Sequence, residues 1–327
     1  MRRIHAALVI TACAAAACTT DRRDPVDVEV RGVVTGLVWV DRNANESRDG
    51  GDGPAEDARV VLRRTQTGPA VASGVTAASG EFIVRDVPVG DYTVTIDGAS
   101  VGDSLSVLRI DSARVRVIAS DTPFVEVALT YPSYSLAEAR TLPEDTRIRI
   151  EAVLLNRWTT FGDSTFHLRD SSGALRVVRF PSNSTLAEGD SVRFLATTTT
   201  RTGQVVFKDA LGIRLEPGAG SPEPVIVSTM AAADAGTLDA ELVRISGAVI
   251  QDTVRIAGEF VIVADDGSGA VNILLDRDNA AFDAAFRAGA APGAVIDATG
   301  LLVPREPAGD MWLLKPRAPG DIDILPI

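Results

Sequence analysis

Phe166-His167-Leu168-Arg169-Asp170-Ser171-Ser172-Gly173-Ala174-Leu175 reads as two short strands around a turn, and about 90 residues later the chain does the same again. The second version is Phe260-Val261-Ile262-Val263-Ala264-Asp265-Asp266-Gly267-Ser268-Gly269-Ala270-Val271. In both, an apolar run is broken by Asp, Ser and Gly, which close hairpins because their side chains bond the nearby backbone or tolerate a positive φ. Other segments keep the spacing. Glu188-Gly189-Asp190-Ser191-Val192-Arg193-Phe194 answers Ala291-Pro292-Gly293-Ala294-Val295-Ile296-Asp297, and the opening strand over 147–155 answers the one over 242–250. A repeat of this length means two copies of one β module.

Outward from the hairpins, each copy begins with a short helix (135–142 and 229–234) and runs through a strand, the hairpin, a polar excursion and a further strand. Five short strands with a helix between the third and fourth form the OB-fold pattern, a small closed barrel. In the second copy 276–289 is expected to supply that helix, with Phe282 and Phe286 four apart on one face. From 134 to the end the chain resembles the tandem OB-like modules of secreted bacterial proteins and nucleases. The modules are placed at 133–217 and 224–327, joined by a linker over 218–223 that Pro217, Pro222 and Pro224 stiffen.

Residues 28–130 alternate apolar and polar positions in short runs separated by Gly, Asp or Pro, and this spacing predicts a β-sandwich. Within it, Asp41-Arg42-Asn43-Ala44-Asn45-Glu46-Ser47-Arg48-Asp49-Gly50-Gly51-Asp52 puts oxygen side chains at positions 1, 3, 5, 7, 9 and 12 of a twelve-residue loop. That order lets a loop wrap a hard cation in oxygens. The same residues also suit a polar turn held by its own side-chain-to-backbone bonds. With Ser79-Gly80-Glu81-Phe82 and Val89-Gly90-Asp91-Tyr92-Thr93-Val94, the loop resembles the B-type domain of the SD-repeat surface adhesins. The resemblance implies a prealbumin-like sandwich that binds calcium at this loop. The spacing makes Asp41, Asn43, Asn45, the Ser47 carbonyl, Asp49 and Asp52 the expected donors, with Glu46 as a further carboxylate, and Asp52, one methylene shorter than the usual glutamate, makes the expected affinity weak. Position 6 of such loops is normally glycine because φ is positive there. Glu46 in that conformation costs about 1–2 kcal/mol.

Met1-Arg2-Arg3 followed by an apolar, alanine-rich run up to Ala17 reads as a secretory signal over 1–17. Ala15-Ala16-Ala17-Cys18 resembles a bacterial lipobox, which implies a lipid on Cys18, a tether over 18–27 and an outer-membrane address; Cys13 fits the pattern less well. From Cys18 onward the net charge is −14, which argues against a protein that coats nucleic acid. The body has no cysteine after Cys18, so thiol nucleophiles, disulfides and Cys/His zinc sites are excluded there. Its one histidine, His167, would have to serve any histidine-based hydrolase. No nucleophile elbow or phosphate loop is present, and the chain is read as non-enzymatic. The first OB-like module, at net +1, is the one stretch that could hold an oligonucleotide. Arg147, Arg149, Arg169, Arg176 and Arg179 beside Trp158, Phe161 and Phe166 are its candidate groove. A protein or glycan ligand is equally open.

Overall fold

The computed structural model describes residues 29–325 apart from 158, 163, 181–184, 217–219, 235, 237, 257–258, 280, 308 and 310. Cys13, Cys18, the signal and tether segments and Trp158 thus lie outside the described residues. The fold is mainly β: a two-sheet sandwich followed by two barrels of one topology.

Nine strands make the sandwich: β1 (Arg31–Val40), β2 (Gly53–Pro54), β3 (Arg59–Arg63), β4 (Ala70–Val75), β5 (Glu81–Pro88), β6 (Gly90–Ile96), β7 (Ser106–Asp111), β8 (Arg114–Val117) and β9 (Phe124–Thr130). A four-residue helix, α1 (Gly98–Val101), follows β6. One sheet runs β2-β1-β9-β7 with β5 also on β1; the other runs β4-β3-β6-β8. Val34 and Val38 of β1 pack with Leu62, Phe82, Val94 and Val127 in the core between the sheets. The outer face of β1 is covered too: Leu37 and Trp39 pack with Ala128, and the Trp39 indole donates to Glu126 at 2.8 Å. The edge strands β4 and β7 are the ones the apolar pattern does not announce, because neither has a buried residue.

In the first barrel, β10 (Arg147–Leu154), β11 (Phe166–Asp170), β12 (Gly173–Val177), β13 (Ser191–Arg201) and β14 (Gln204–Glu216) close in the order β10-β11-β12-β14-β13. The second contains β15 (Val225–Ile226), β16 (Leu242–Ile256), β17 (Glu259–Asp265), β18 (Ala270–Leu275), β19 (Val295–Pro304), β20 (Trp312–Lys315) and β21 (Ile322–Leu325). Its order is β16-β17-β18-β20-β19 with β19 returning to β16, and β15 and β21 are added at the flanks. In each barrel the third and fifth strands are parallel neighbours, as the OB order requires.

Each barrel starts with a very short helix, α2 (Leu136–Ala139) or α3 (Thr229–Ala233). Ser135 and Ser228 cap them, and the hairpin turn of the same barrel adds more acceptors. Asp170 accepts from the Leu136 N–H and Ser172 from that of Ala137; Asp266 accepts from the Thr229 N–H and Ser268 from that of Met230. This shared device sets the correspondence of the two copies. Asp170 matches Asp266, so Phe166 falls opposite Ile262, not Phe260. The helix expected over 276–289 is shorter, α4 (Ala284–Gly289), with Phe282 ahead of its Asp283 cap. Asp276 accepts from the Asp278 N–H and Asn279 from that of Ala281, and such local turns compete with helix.

Candidate functional site

The loop over 41–52 leaves β1 at the end facing the first barrel. Glu46 has φ 58° and Ala44 φ 57°, so position 6 keeps the left-handed conformation without a glycine. Asp41 is 1% exposed; its Oδ2 accepts from the Glu46 N–H at 3.0 Å, while its Oδ1 is buried without a hydrogen-bond partner. Asn43 Oδ1 accepts from the Asn45 N–H and Asn45 Oδ1 from the Ser47 N–H. Asp52 takes the N–H groups of Arg42 and Asp49. The side-chain amides of Asn43 and Asn45 donate to Asp49, whose carboxyl is held low by the Gly51 N–H and then by Asn45. Among the described residues no three His, Cys, Asp or Glu side chains converge as a metal-binding group. Any cation here would therefore be held by mixed donors, with Asp41 Oδ1 as the unsatisfied one.

Arginines surround the other side of this loop. Arg214 of β14 donates to the carbonyls of Ala44 and Asn45, and Arg109 to that of Glu46 at 2.9 Å. The Glu46 carboxylate pairs with Arg214 at 3.3 Å and Arg193 at 3.8 Å. The Glu46 carboxylate, expected as a further cation ligand, is thus held by two arginines of the first barrel. Gly212 (φ 64°) lies so close that an added Cβ would stand 2.0 Å from the Asn43 carbonyl oxygen.

The candidate groove is dispersed. Phe166 is fully buried in the barrel core against Phe180, at 4.7 Å between centroids, and cannot stack on a base. Arg147 lies over the Tyr131 ring, and Arg149 lines a crevice with Glu46 and Arg193 beside the sandwich. Arg169 donates to the Glu223 carbonyl and approaches Glu241 at 3.5 Å. Arg179 is exposed. Arg176 is 3% exposed and turned toward the second barrel. The pleat turns Arg147, Arg149, Arg169 and Arg176 outward, and the barrel's curvature with its different neighbours then sends them to different surfaces, which one-dimensional spacing does not reveal.

The seam between the barrels is where charge is buried. Asp239, ahead of β16, receives Arg140 at 3.2 Å and has Arg176 at 3.9 Å; burial pushes its carboxyl up, against the pull of both guanidiniums. Arg176 also pairs with Glu306 at 3.1 Å. Arg317 joins Asp321 to Glu188 (2.6 Å) and to the Leu155 carbonyl (3.0 Å). Leu155, Phe161 and Ala174 pack on Ala240, Leu242 and Leu301 to form an apolar cluster across the seam. Beside it lies a cavity of about 260 Å³ with His167 and Arg176 in its wall. His167 is buried, and its Nδ1 faces Asn156 Oδ1 at 3.2 Å, where a triad would hold a carboxylate. Burial, then the charges of Arg176 and Lys315, hold its imidazole well below the ordinary histidine range.

No family model and no curated protein matches the chain. Among solved structures, the hypothetical protein YgiW from E. coli is similar over 26% of this chain and 89% of its own, at 20% identity and TM-score 0.23. A murine DNA-binding protein bound to double-stranded DNA covers 49% of this chain and 97% of its own, at 12% identity and TM-score 0.23. The Bacillus anthracis TIE protein covers 88% of this chain, which spans 50% of it, at 12% identity and TM-score 0.24. At these scores the fold rests on strand order, not on the neighbours. No helix among the described residues is long and apolar enough to cross a membrane.

Proposed function

We propose that the chain is a non-catalytic binding and scaffold protein of the cell envelope, held at the outer membrane by lipid on Cys18. The sandwich spaces the two barrels from the membrane, and the barrels are the binding modules. Calcium would organise the 41–52 loop, with Asp41, Asn43, Asn45, the Ser47 carbonyl, Asp49 and Asp52 as its donors. The observation that carries the calcium assignment is Asp41: a carboxylate 1% exposed with one oxygen unpartnered. A buried charge in that state is costly, and a divalent cation would offset it. Asn43 and Asn45 each keep a second lone pair on Oδ1 beyond the backbone bond they accept. Freed of the two asparagine amides, Asp49 could turn to the ion.

The test uses the mature chain, because the loop is docked on the first barrel. Calcium at a hundredfold excess over Kd is expected to stabilise it by about 2.7 kcal/mol relative to chelator. Asp41→Asn, which keeps the volume and loses the charge, should remove most of that difference. Identical melting in calcium and in EDTA would overturn the metal assignment. The anchor is tested separately: Cys18→Ser should release the protein from the membrane fraction, and a protein that stays bound refutes the lipid.

A further inference from the structure

The cavity at the seam is walled by Phe161, His167 and Arg176 from the first barrel and by Leu274, Leu313 and Lys315 from the second. His167 and Arg176 are register partners across the β11–β12 hairpin. Matching the two copies through Asp170 and Asp266 places Val263 and Asn272 at the same pair of positions, and these are register partners across β17–β18. The module therefore folds with an aliphatic and an amide side chain at this pair. Burying an imidazole and a guanidinium there is a feature of the first copy alone, not a requirement of the barrel.

Both groups are left incompletely satisfied. Arg176 spends Nη1 on Glu306, while its Nη2, like Nε2 of His167, is buried without a hydrogen-bond partner. Leaving a buried donor or acceptor unpaired is costly, and a ligand that pairs both groups recovers that cost. The amide of Asn156 donates to the carbonyls of Arg157 and Thr165, so its Oδ1 is an acceptor, and His167 Nδ1 carries the ring proton that faces it. In the neutral ring Nε2 then offers a lone pair. Of the other cations in the lining, Arg277 is paired with Glu259 at 3.2 Å and Lys315 Nζ with Asp276 at 2.6 Å, which leaves Arg176 Nη2 as the donor with an open valence toward the cavity. Apart from Thr165 and Arg305, the remaining wall is apolar, and Lys315 Nζ lies 4.0 Å from the Phe161 ring centroid.

We infer that this seam binds a small organic anion: an apolar body with one carboxylate or phosphate group, and a hydroxyl that donates to His167 Nε2. Arg176 Nη2 meets the anionic oxygen, Lys315, already paired with Asp276, offers its remaining ammonium protons from the facing barrel, and the apolar side chains hold the body. Ligand pockets for drug-sized molecules begin at about 300 Å³, so 260 Å³ suits a compact ligand of one ring or less. The inference rests on reading the barrels as binding modules and is independent of the calcium loop.

The experiment titrates the mature chain calorimetrically with mandelate and with 2-hydroxy-2-phenylethyl phosphate, which carry the hydroxyl and separate the carboxylate and phosphate sources, and with the neutral phenylethanediol that has the same body. At least one anion should saturate, and the neutral diol should bind about tenfold more weakly or not at all, as expected for losing a charged hydrogen bond. Arg176→Asn, the residue the second barrel uses, should weaken the anion by a similar factor of about ten. Lys315→Met gives the same reading should Arg176→Asn fail to fold. No saturation by either anion up to about 10 mM, equal binding of the diol, or unchanged binding by the folded variant would overturn the site. An intact calcium response with no anion binding would remove this site and leave the envelope scaffold standing.

Discussion

The two barrels share a strand order and a helix-capping device, yet at one matched pair of positions the first buries polar side chains and the second leaves its side chains half-exposed. Where the second barrel has Val263 beside Asn272, the first has His167 beside Arg176. In the first barrel that hairpin lies against its neighbour, and the guanidinium meets carboxylates at Glu306 and Asp239. These positions alternate with the core residues and face out of the barrel, so the barrel itself needs only their backbone hydrogen bonds. What exceeds that need reports on the partner across the seam, so comparing copies of one module separates residues that serve the fold from residues that serve the contact.

The comparison breaks first at Asp239, whose side chain is fully buried between two first-barrel arginines. Asp239→Ala strands Arg140 and Arg176 against each other, and removing one partner of a buried ion network costs about 3–5 kcal/mol. Asp297→Ala, which removes a partly exposed pair with Arg244 and an acceptor of the Gly247 N–H on the second barrel, should cost less, about 1–2 kcal/mol. Urea unfolding of the two variants measures the contrast, and Asp239→Ala should also separate the unfolding of the barrels. Equal, small losses would show that the seam is not a lock.

A second way to sharpen it is pH. His167 is neutral in the folded state because burial, followed by Arg176 and Lys315, lowers its pKa, whereas the unfolded ring titrates near 6.5. Below about pH 6.5 the unfolded chain binds one more proton, so stability falls by about 1.4 kcal/mol per pH unit until the folded ring also protonates. Asp239 and Glu241, whose carboxyls burial raises, act in the opposite direction, so the difference between wild type and His167→Val isolates the histidine. Urea midpoints from pH 7 to pH 5 should fall more steeply for the wild type. Parallel curves would mean that the ring is not held neutral.

Much of this architecture is legible in the sequence, and what is not has a common cause. Alternation and turn residues mark the strands with one buried face, and the Asp/Ser/Gly hairpins mark the repeat. They do not mark β4 or β7, whose side chains are small or half-exposed at sheet edges. The loop over 41–52 is readable down to the positive φ of Glu46, because local spacing encodes it. The destination of the Glu46 carboxylate is not, because Arg193 and Arg214 reach it from a different module. The partners of Arg169 and Arg176 in the candidate groove are hidden for the same reason: Glu241, Asp239 and Glu306 come from the second barrel. A basic residue on a strand looks like free positive charge until the carboxylate that answers it arrives from a distant segment. Arg140 and Asp239 are 99 residues apart, and Arg176 and Glu306 130.

The smallest effect tests the feature the barrels hold in common. Helices of four and five residues do not persist alone in water, so α2 and α3 depend on the acceptors their hairpins supply. Asp266 takes the Thr229 N–H at 3.0 Å, the Thr229 hydroxyl at 2.8 Å and the Ser268 N–H at 2.9 Å, and bonds from Ser268 and then Thr229 hold its carboxyl far below the ordinary range. Such a group stabilises fully above its unfolded pKa of about 4 and loses that contribution as pH falls toward the folded value. Asp170 takes the Leu136 N–H at 2.8 Å and the Ser172 N–H at 2.7 Å in the same manner. At neutral pH, Asp170→Ala and Asp266→Ala should each cost about 1 kcal/mol, in the range of helix-cap deletions. Because the two sites are separate, the double variant should cost the sum to within about 0.5 kcal/mol. Thermal melts of the three variants measure this. A large loss in one barrel beside none in the other would mean that the duplicated turn caps its helix in only one copy, and the residue correspondence drawn through Asp170 and Asp266, including His167 with Val263, would fall with it.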